Sequence, residues 1–362
     1  MDEKLIRKSH IFNDYNELKY FNDFSIININ NNEEKNNENK NKDSFLNSCI
    51  NIENNKNTFI IYDDKEDIIS ENEWNDIFIQ HKTYSDLSKN QIYKINNSLE
   101  KGISPNLRPK IWKFLSKYES LKLNHDKNFY ENFLKIKNEK IDLIIKKDID
   151  RTYINKNKIS NELKEKLFNI LRVYSIYDRE VGYCQGTNFI VLILILTIKD
   201  EIDCFWLFVV IMSGKNWRKM FVNETPKLME LMNLFLDNLK KELPNIYDLF
   251  IKKGIINDIP GIFTPYFSNI FSYNNIPIEL TERIFDLFWI YEHEVIIGTI
   301  INLFKLKKDK ILNFNNSDEI HFYIRNDLLK ECYSDFGINN IIYKRKIVRK
   351  NIIGINEREV QL

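Results

Sequence analysis

The chain has 362 residues, is 43% hydrophobic and 13% aromatic, and carries 53 Lys and Arg against 52 Asp and Glu, a formal net charge of +1. At roughly 150 residues per domain it has material for two or three units with a sizeable core. Its charge balance supplies no overall field for nucleic acid, so no nucleic-acid partner is expected. Only 9 Gly and 7 Pro disfavour a sandwich or barrel built on many tight turns.

Residues 1–70 are Asn-rich and of low complexity, most densely from Asn28 to Lys42. Such a stretch buries too little apolar surface to offset its ordering entropy, so a mostly disordered segment is expected. The apolar islands Phe21–Ile27 and Phe59–Tyr62 are candidates for short docking segments. From Trp74 the text becomes globular. Trp74, Ile77 and Phe78 share a helical face, and Ile92, Ile95 and Leu99 continue a helix that Gly102 stops. Pro109 suits the first turn of a helix whose buried stripe is Ile111, Trp112 and Leu115. Residues 121–145 read as one helical linker of mixed charge, with Phe129, Phe133 and Ile136 at helical spacing.

A loop containing Arg151 follows, then a helix with Leu163, Leu167, Ile170, Leu171 and Tyr174 on one face, then a second loop, Val181-Gly182-Tyr183-Cys184-Gln185-Gly186-Thr187-Asn188. The longest apolar run, Phe189–Ile198, stops at Lys199-Asp200-Glu201. A membrane span needs about 20 such residues, so a fully buried helix is the better reading. Helices are expected at Asp203–Ser213, Thr225–Lys241 and Asn245–Lys253. Pro260-Gly261 and Pro265 are expected to break the chain before further helices at Leu280–Trp289, Val295–Leu306 and Asp327–Tyr333. No period-2 strand ladder and no fixed repeat is present. Residues 71–345 therefore read as an all-α domain, and 346–362 as a basic tail. The run Lys344–Lys350 reads as a solvated helix face or frayed end, with peripheral contact with an anionic membrane surface as its alternative.

Taken singly, the candidate residues are ordinary. Asp148 and Arg151 are spaced for a local helix-surface ion pair. Gln185 reads as a buried or capping amide, Tyr183 and Cys184 as core, and His293 as a surface residue. Cys49, Cys184, Cys204 and Cys332 lack C-x-x-C spacing and read as reduced cytosolic thiols. The start Met1-Asp2-Glu3-Lys4 is not that of a secretory signal or a myristoylation site, so a cytoplasmic location is expected. Histidine spacing offers no metal site. Phosphate-cradling G-x-x-x-x-G-K-[ST] and G-x-G-x-x-G loops are absent, so no nucleotide of the chain's own is expected.

The combination is more specific. Ile145-x-x-Asp148-x-x-Arg151 followed by Tyr183-x-Gln185 resembles the paired finger motifs of the TBC domain family, the Rab GTPase-activating proteins. Lys101–Arg108 with Trp112 is similar to that family's opening motif. Phe267-x-x-Ile270-Phe271, Pro277 and Arg283-Ile284-Phe285-Asp286 resemble its C-terminal half, and all stand in the family's order. The resemblance covers about residues 95–310. Pro109, Thr187, Phe285 and Tyr291-Glu292-His293-Glu294 depart from the family's usual residues.

The resemblance implies a TBC-type multi-helix fold of two helical subdomains. It also implies a GTPase-activating protein for a GTP-bound Rab-family GTPase in vesicle and membrane traffic. Arg151 and Gln185 map onto the arginine and glutamine fingers inserted in trans. Ile145, Asp148, Thr152, Tyr183, Gly186 and Asn188 would support the fingers, and Arg108, Trp112, Arg283 and Asp286 would be structural. GTP and Mg²⁺ would belong to the partner, with no cofactor or metal of the chain's own. A catalytically silent Rab-binding adaptor or scaffold is the alternative. Oligomeric state is not legible in the sequence.

Overall fold

A computed structural model describes residues 69–342, apart from 155–156 and 274–275. The expected disordered segment, except its last two residues, and the basic tail lie outside the described residues; Ile69 is buried and Ser70 caps the first helix.

The described chain is helical, as its patterning implies. Ser70 and Ser88 open α1 (Glu71–Gln80) and α2 (Lys89–Lys101), each in a capping box with the third helical residue, Glu73 and Gln91. Pro109 sits in the first turn of α3 (Arg108–Ser116), where its missing N–H leaves no bond unmade. The expected single linker helix is three pieces: α4 (Tyr118–Leu123), α5 (Phe129–Leu134) and α6 (Glu139–Asp150). The breaks have local causes. The Asp126 carboxylate accepts from the Asn128 N–H at 2.7 Å, and Asn138 accepts from the Ile141 N–H to start α6 afresh. Residues Tyr153–Ile154 and Asn157–Lys158 pair as two short antiparallel strands, β1 and β2, the one strand pairing among the described residues. The sequence gives no sign of it.

Ser160 caps α7 (Asn161–Tyr177). The apolar run forms α8 (Thr187–Ile198), which has no polar face because it is surrounded by other helices, including α7, α3 and α9 (Glu201–Val209). The helix expected to reach Ser213 leaves α-geometry at Val210, where a π turn, Val210–Gly214, leads to a 3₁₀ turn, Trp217–Met220. Then follow α10 (Pro226–Glu242), α11 (Pro244–Lys252), α12 (Ile259–Ser268), α13 (Ile278–Tyr291) and α14 (His293–Leu306). The expected break at Pro260 and Pro265 does not occur. Pro260 falls in the first turn of α12 and Pro265 inside it. The disruption comes after the helix instead, where Ile270 and Phe271 both take left-handed φ, +54° and +55°. The short α15 (Lys308–Leu312), α16 (Ser317–Asn326), α17 (Leu328–Phe336) and α18 (Ile338–Ile341) complete the described chain. No helix among the described residues is long and apolar enough to cross a membrane.

One buried carboxylate ties the N-terminal helices to the C-terminal half. Asp286 of α13 is fully buried. Its Oδ1 accepts from Arg108 Nε at 2.9 Å and from the Trp112 indole N–H at 2.8 Å. Its Oδ2 accepts from Arg108 Nη2 and Arg283 Nη1, each at 3.2 Å. Arg283 also donates to the carbonyls of Leu99 and Glu100 at the end of α2 (2.9 and 3.1 Å), and Arg108 reaches Glu282 at 2.9 Å. Phe285 stacks on Trp112, ring centroids 5.5 Å apart. The four sequence-singled residues Arg108, Trp112, Arg283 and Asp286 thus meet at one point.

Asp286→Asn would leave two buried guanidinium groups short of a counter-charge. Removing one partner of such a buried network costs about 3–5 kcal/mol, read as a lower denaturation midpoint. A loss below about 1 kcal/mol would show the carboxylate to be dispensable to the fold.

Candidate functional site

Arg151 stands at the end of α6. The buried stripe of that helix is Asp142, Ile145, Asp148 and Ile149, so a carboxylate points inward where an apolar residue would be usual. Ile145, fully buried, anchors the stripe in the core. Asp148 has two partners. Its Oδ1 pairs with the Arg151 guanidinium, and its Oδ2 accepts the Tyr183 hydroxyl at 2.8 Å. The local ion pair that spacing suggests is therefore present, but it also reaches the second loop. The Asp148 side chain is 7% exposed and that of Arg151 is 68% exposed. The carboxylate anchors, and the guanidinium faces outward.

A second tie runs parallel to the first. The Thr152 hydroxyl donates to the Asp148 carbonyl at 2.8 Å and accepts from Asn188 Nδ2 at 2.9 Å. Asn188 Oδ1 in turn accepts from the Gly186 N–H at 3.2 Å. Thr152 and Asn188 are both buried. The arginine and glutamine loops, 34 positions apart in sequence, are cross-braced on either side of Gln185, whose side chain is exposed.

The glutamine loop is shaped by two glycines with left-handed φ. Gly182 turns at +63° in open space, so conformation alone demands glycine there. Gly186, at +99°, has a further reason: a Cβ would lie 2.5 Å from Asn269 Oδ1. Thr187 opens α8 and donates its hydroxyl to the Cys184 carbonyl at 2.7 Å, closing the turn around Gln185. Burial, and then the Asp148 charge, push the Tyr183 hydroxyl well above its ordinary pKa, so it stays a proton donor to Asp148.

Sequence reasoning missed several residues here. Asn269, buried against Gly186, comes from the strained turn after α12, where the Thr281 hydroxyl donates to the Phe271 carbonyl at 2.8 Å. Tyr273 follows, its ring 5.0 Å from that of Phe189. Burial raises its pKa, and the Arg151 charge pulls the other way. Asp178 and Arg218 brace the near end of the glutamine loop. Only Asp178 had a sequence signal, four residues after Tyr174 at a helix end. His293 is not the surface residue expected. It is half-buried at the start of α14, and burial, followed by the Lys227 charge, lowers its pKa.

Residues 105–312, more than half of the chain, match the Rab-GTPase-TBC domain family. The GTPase-activating protein GYP5 of Saccharomyces cerevisiae is 26% identical over 71% of this chain and 28% of its own length. The human ecotropic viral integration site 5 protein homolog is 28% identical over 64% of this chain and 28% of its own. The chain thus aligns with little more than a quarter of each of these relatives. Among solved structures, the Chlamydomonas flagellar RabGAP TBC domain superposes with a TM-score of 0.61 at 20% identity, covering 74% of this chain and 87% of that one. The Ypt/Rab-GAP domain of Gyp1p gives 0.55 at 16% identity, covering 73% and 98%. At such identities these two likenesses speak for the fold alone. The family match and the shared fold together establish that this chain belongs to the Rab-GTPase-TBC domain family.

Proposed function

We propose that this chain is a GTPase-activating protein that supplies Arg151 and Gln185 in trans to a GTP-bound Rab-family GTPase in membrane traffic. The observation that carries the reading is the shared anchor. Asp148 holds both the exposed Arg151 and, through Tyr183, the loop that presents the exposed Gln185.

The residue types suit the chemistry. Hydrolysis of GTP develops negative charge on the phosphate oxygens around the breaking bond. An inserted arginine offsets that charge and is worth roughly 10³–10⁵ in rate in GTPase systems. Its planar fork donates to several oxygens and stays charged. The glutamine amide both donates and accepts, so it can orient the attacking water. Asp148, Thr152, Tyr183 and Asn188 act by holding this geometry, because preorganisation removes the cost of assembling it during reaction. GTP and Mg²⁺ arrive with the partner. The activating unit is residues 71–345, with the Asn-rich segment before it and the basic tail after it as candidates for targeting, including peripheral contact with endomembranes.

Single-turnover hydrolysis by a panel of GTP-loaded Rab GTPases, with and without the chain, tests the reading. At least one should be strongly accelerated. Arg151→Ala should reduce the effect by about 10³-fold or more, and Gln185→Ala by on the order of 10²-fold. Full activity in Arg151→Ala would refute the finger. Binding of a GTPase with no acceleration would favour a silent adaptor.

Tyr183→Phe leaves Asp148 short of one buried donor. It should lower stability by about 1–3 kcal/mol in urea unfolding and slow the accelerated reaction. An unchanged unfolding curve with an unchanged rate would remove Tyr183 from the device.

A further inference from the structure

The glutamine loop has a further brace, at its N-terminal end. Asp178 ends α7, its N–H bonded to the Tyr174 carbonyl. Its own carbonyl accepts from the Gly182 N–H at 2.7 Å, and its Oδ1 from the Val181 N–H at 3.2 Å. Its carboxylate thus folds the first half of the loop around itself. Arg218, 40 positions later, grips that carboxylate with two bonds, Nε to Oδ2 at 2.8 Å and Nη2 to Oδ1 at 3.0 Å, while Nη2 also reaches Glu180 Oε2 at 2.7 Å. The Tyr174 hydroxyl completes the set at 3.0 Å.

Arg218 is placed by an irregular piece of chain. The π turn Val210–Gly214 ends α9 with a bond from Lys215 N–H to the Val210 carbonyl at 2.9 Å, and the 3₁₀ turn Trp217–Met220 follows. Its first residue, the fully buried Trp217, donates its indole N–H to the Ser268 carbonyl at 3.2 Å. Ser268 precedes Asn269, the residue packed against Gly186. Adjacent residues of one short turn therefore hold both ends of the glutamine loop. Arg218 holds the stem at Asp178, and Trp217 holds the support beneath Gly186.

We propose that Arg218 is a positioning residue for Gln185, acting through Asp178 to fix the stem from which the glutamine is presented. The inference rests on the proposed finger role of Gln185. The Arg218 side chain is 28% exposed and that of Asp178 9%, so losing this two-bond pair lowers stability as well as freeing the stem. A misplacement of about 1 Å at a reacting group can in addition cost on the order of 10²-fold in rate. What separates a positioning role from a general structural one is whether the rate loss depends on Gln185. Lysine, a single point charge, cannot reproduce the two-bond grip.

A double-mutant cycle on the full chain tests this, with the most responsive GTP-loaded Rab GTPase of a panel as substrate. Arg218→Gln and Arg218→Lys should each lower the single-turnover rate at saturating chain by about tenfold or more, with helical circular dichroism unchanged and a cooperative thermal transition retained, at a lower midpoint. In the Gln185→Ala background the same substitutions should cost less than about twofold, because the residue they act through is gone. In the Arg151→Ala background they should cost their full factor in any residual acceleration. An equal loss with and without Gln185, no loss at all, or loss of the cooperative thermal transition in both variants would overturn the positioning role. If the unmutated chain accelerates no GTPase, or Arg151→Ala and Gln185→Ala both stay fully active, the finger reading falls and takes this one with it.

Discussion

The fold depends on one carboxylate with nowhere to go. Asp286 lies at full burial among Arg108, Arg283 and the Trp112 indole, and Arg283 continues to the last carbonyls of α2. Those bonds join segments more than 170 positions apart, so helices that precede the glutamine loop are held by residues that follow it. Desolvating such a group is tolerable only because its oxygens are satisfied by charged and neutral donors at once. Burial pushes the Glu282 carboxyl upward in pKa, against the pull of Arg108. Polar groups this deep act less as net stabilisers than as register pins. A shifted packing of α3 on α13 would strand them, whereas the apolar pair Trp112 and Phe285 would tolerate some sliding.

Asp148 repeats the device at the surface with a different outcome. It too is a buried carboxylate between a cation and an aromatic side chain's donor, here the Tyr183 hydroxyl, but its cation is mostly in water. The ion pair therefore contributes little energy. It limits the directions open to Arg151 and couples that side chain to the loop of Gln185. The parallel tie from Thr152 to Asn188 removes the remaining freedom between the loops. Two weak, satisfied bridges achieve what a single strong one would not, since a lone bridge still allows rotation about itself.

The legible and illegible parts of the sequence divide along physical lines. Helices were legible where period, caps and length agreed, as in α7 with Ser160 before it and a continuous apolar stripe. They are not legible where a side chain competes with the backbone, as at Asp126, or where a helix accommodates a proline that elsewhere signals a stop, as α12 does Pro265. The residues of the two finger loops were legible as a motif in a fixed order. What they touch was not. Nothing local to Asp178 announces Arg218, and nothing near Asn269 announces Gly186, because both contacts depend on helices packed far apart in the chain. The left-handed pair Ile270 and Phe271 is the extreme case. A β-branched residue rarely takes positive φ, so no propensity would place it there, and the burial of both side chains helps to hold it.

That strained turn bears on how the loop of Gln185 is kept rigid. Two residues in sparsely populated backbone conformations cost of order 1–3 kcal/mol each, and the surrounding structure must over-determine them to persist. It does so from three directions. The Thr281 hydroxyl holds the Phe271 carbonyl, the Trp217 indole holds the Ser268 carbonyl, and the Ser272 hydroxyl holds that of Asn269. The result is that the Asn269 side chain stands where any Cβ at residue 186 would fall. A relaxed turn would let Asn269 withdraw and the Gly186 backbone follow it. The strain is thus the cost of a hard surface under the glutamine turn, and a loop pressed on such a surface has fewer alternative conformations than one held by hydrogen bonds alone.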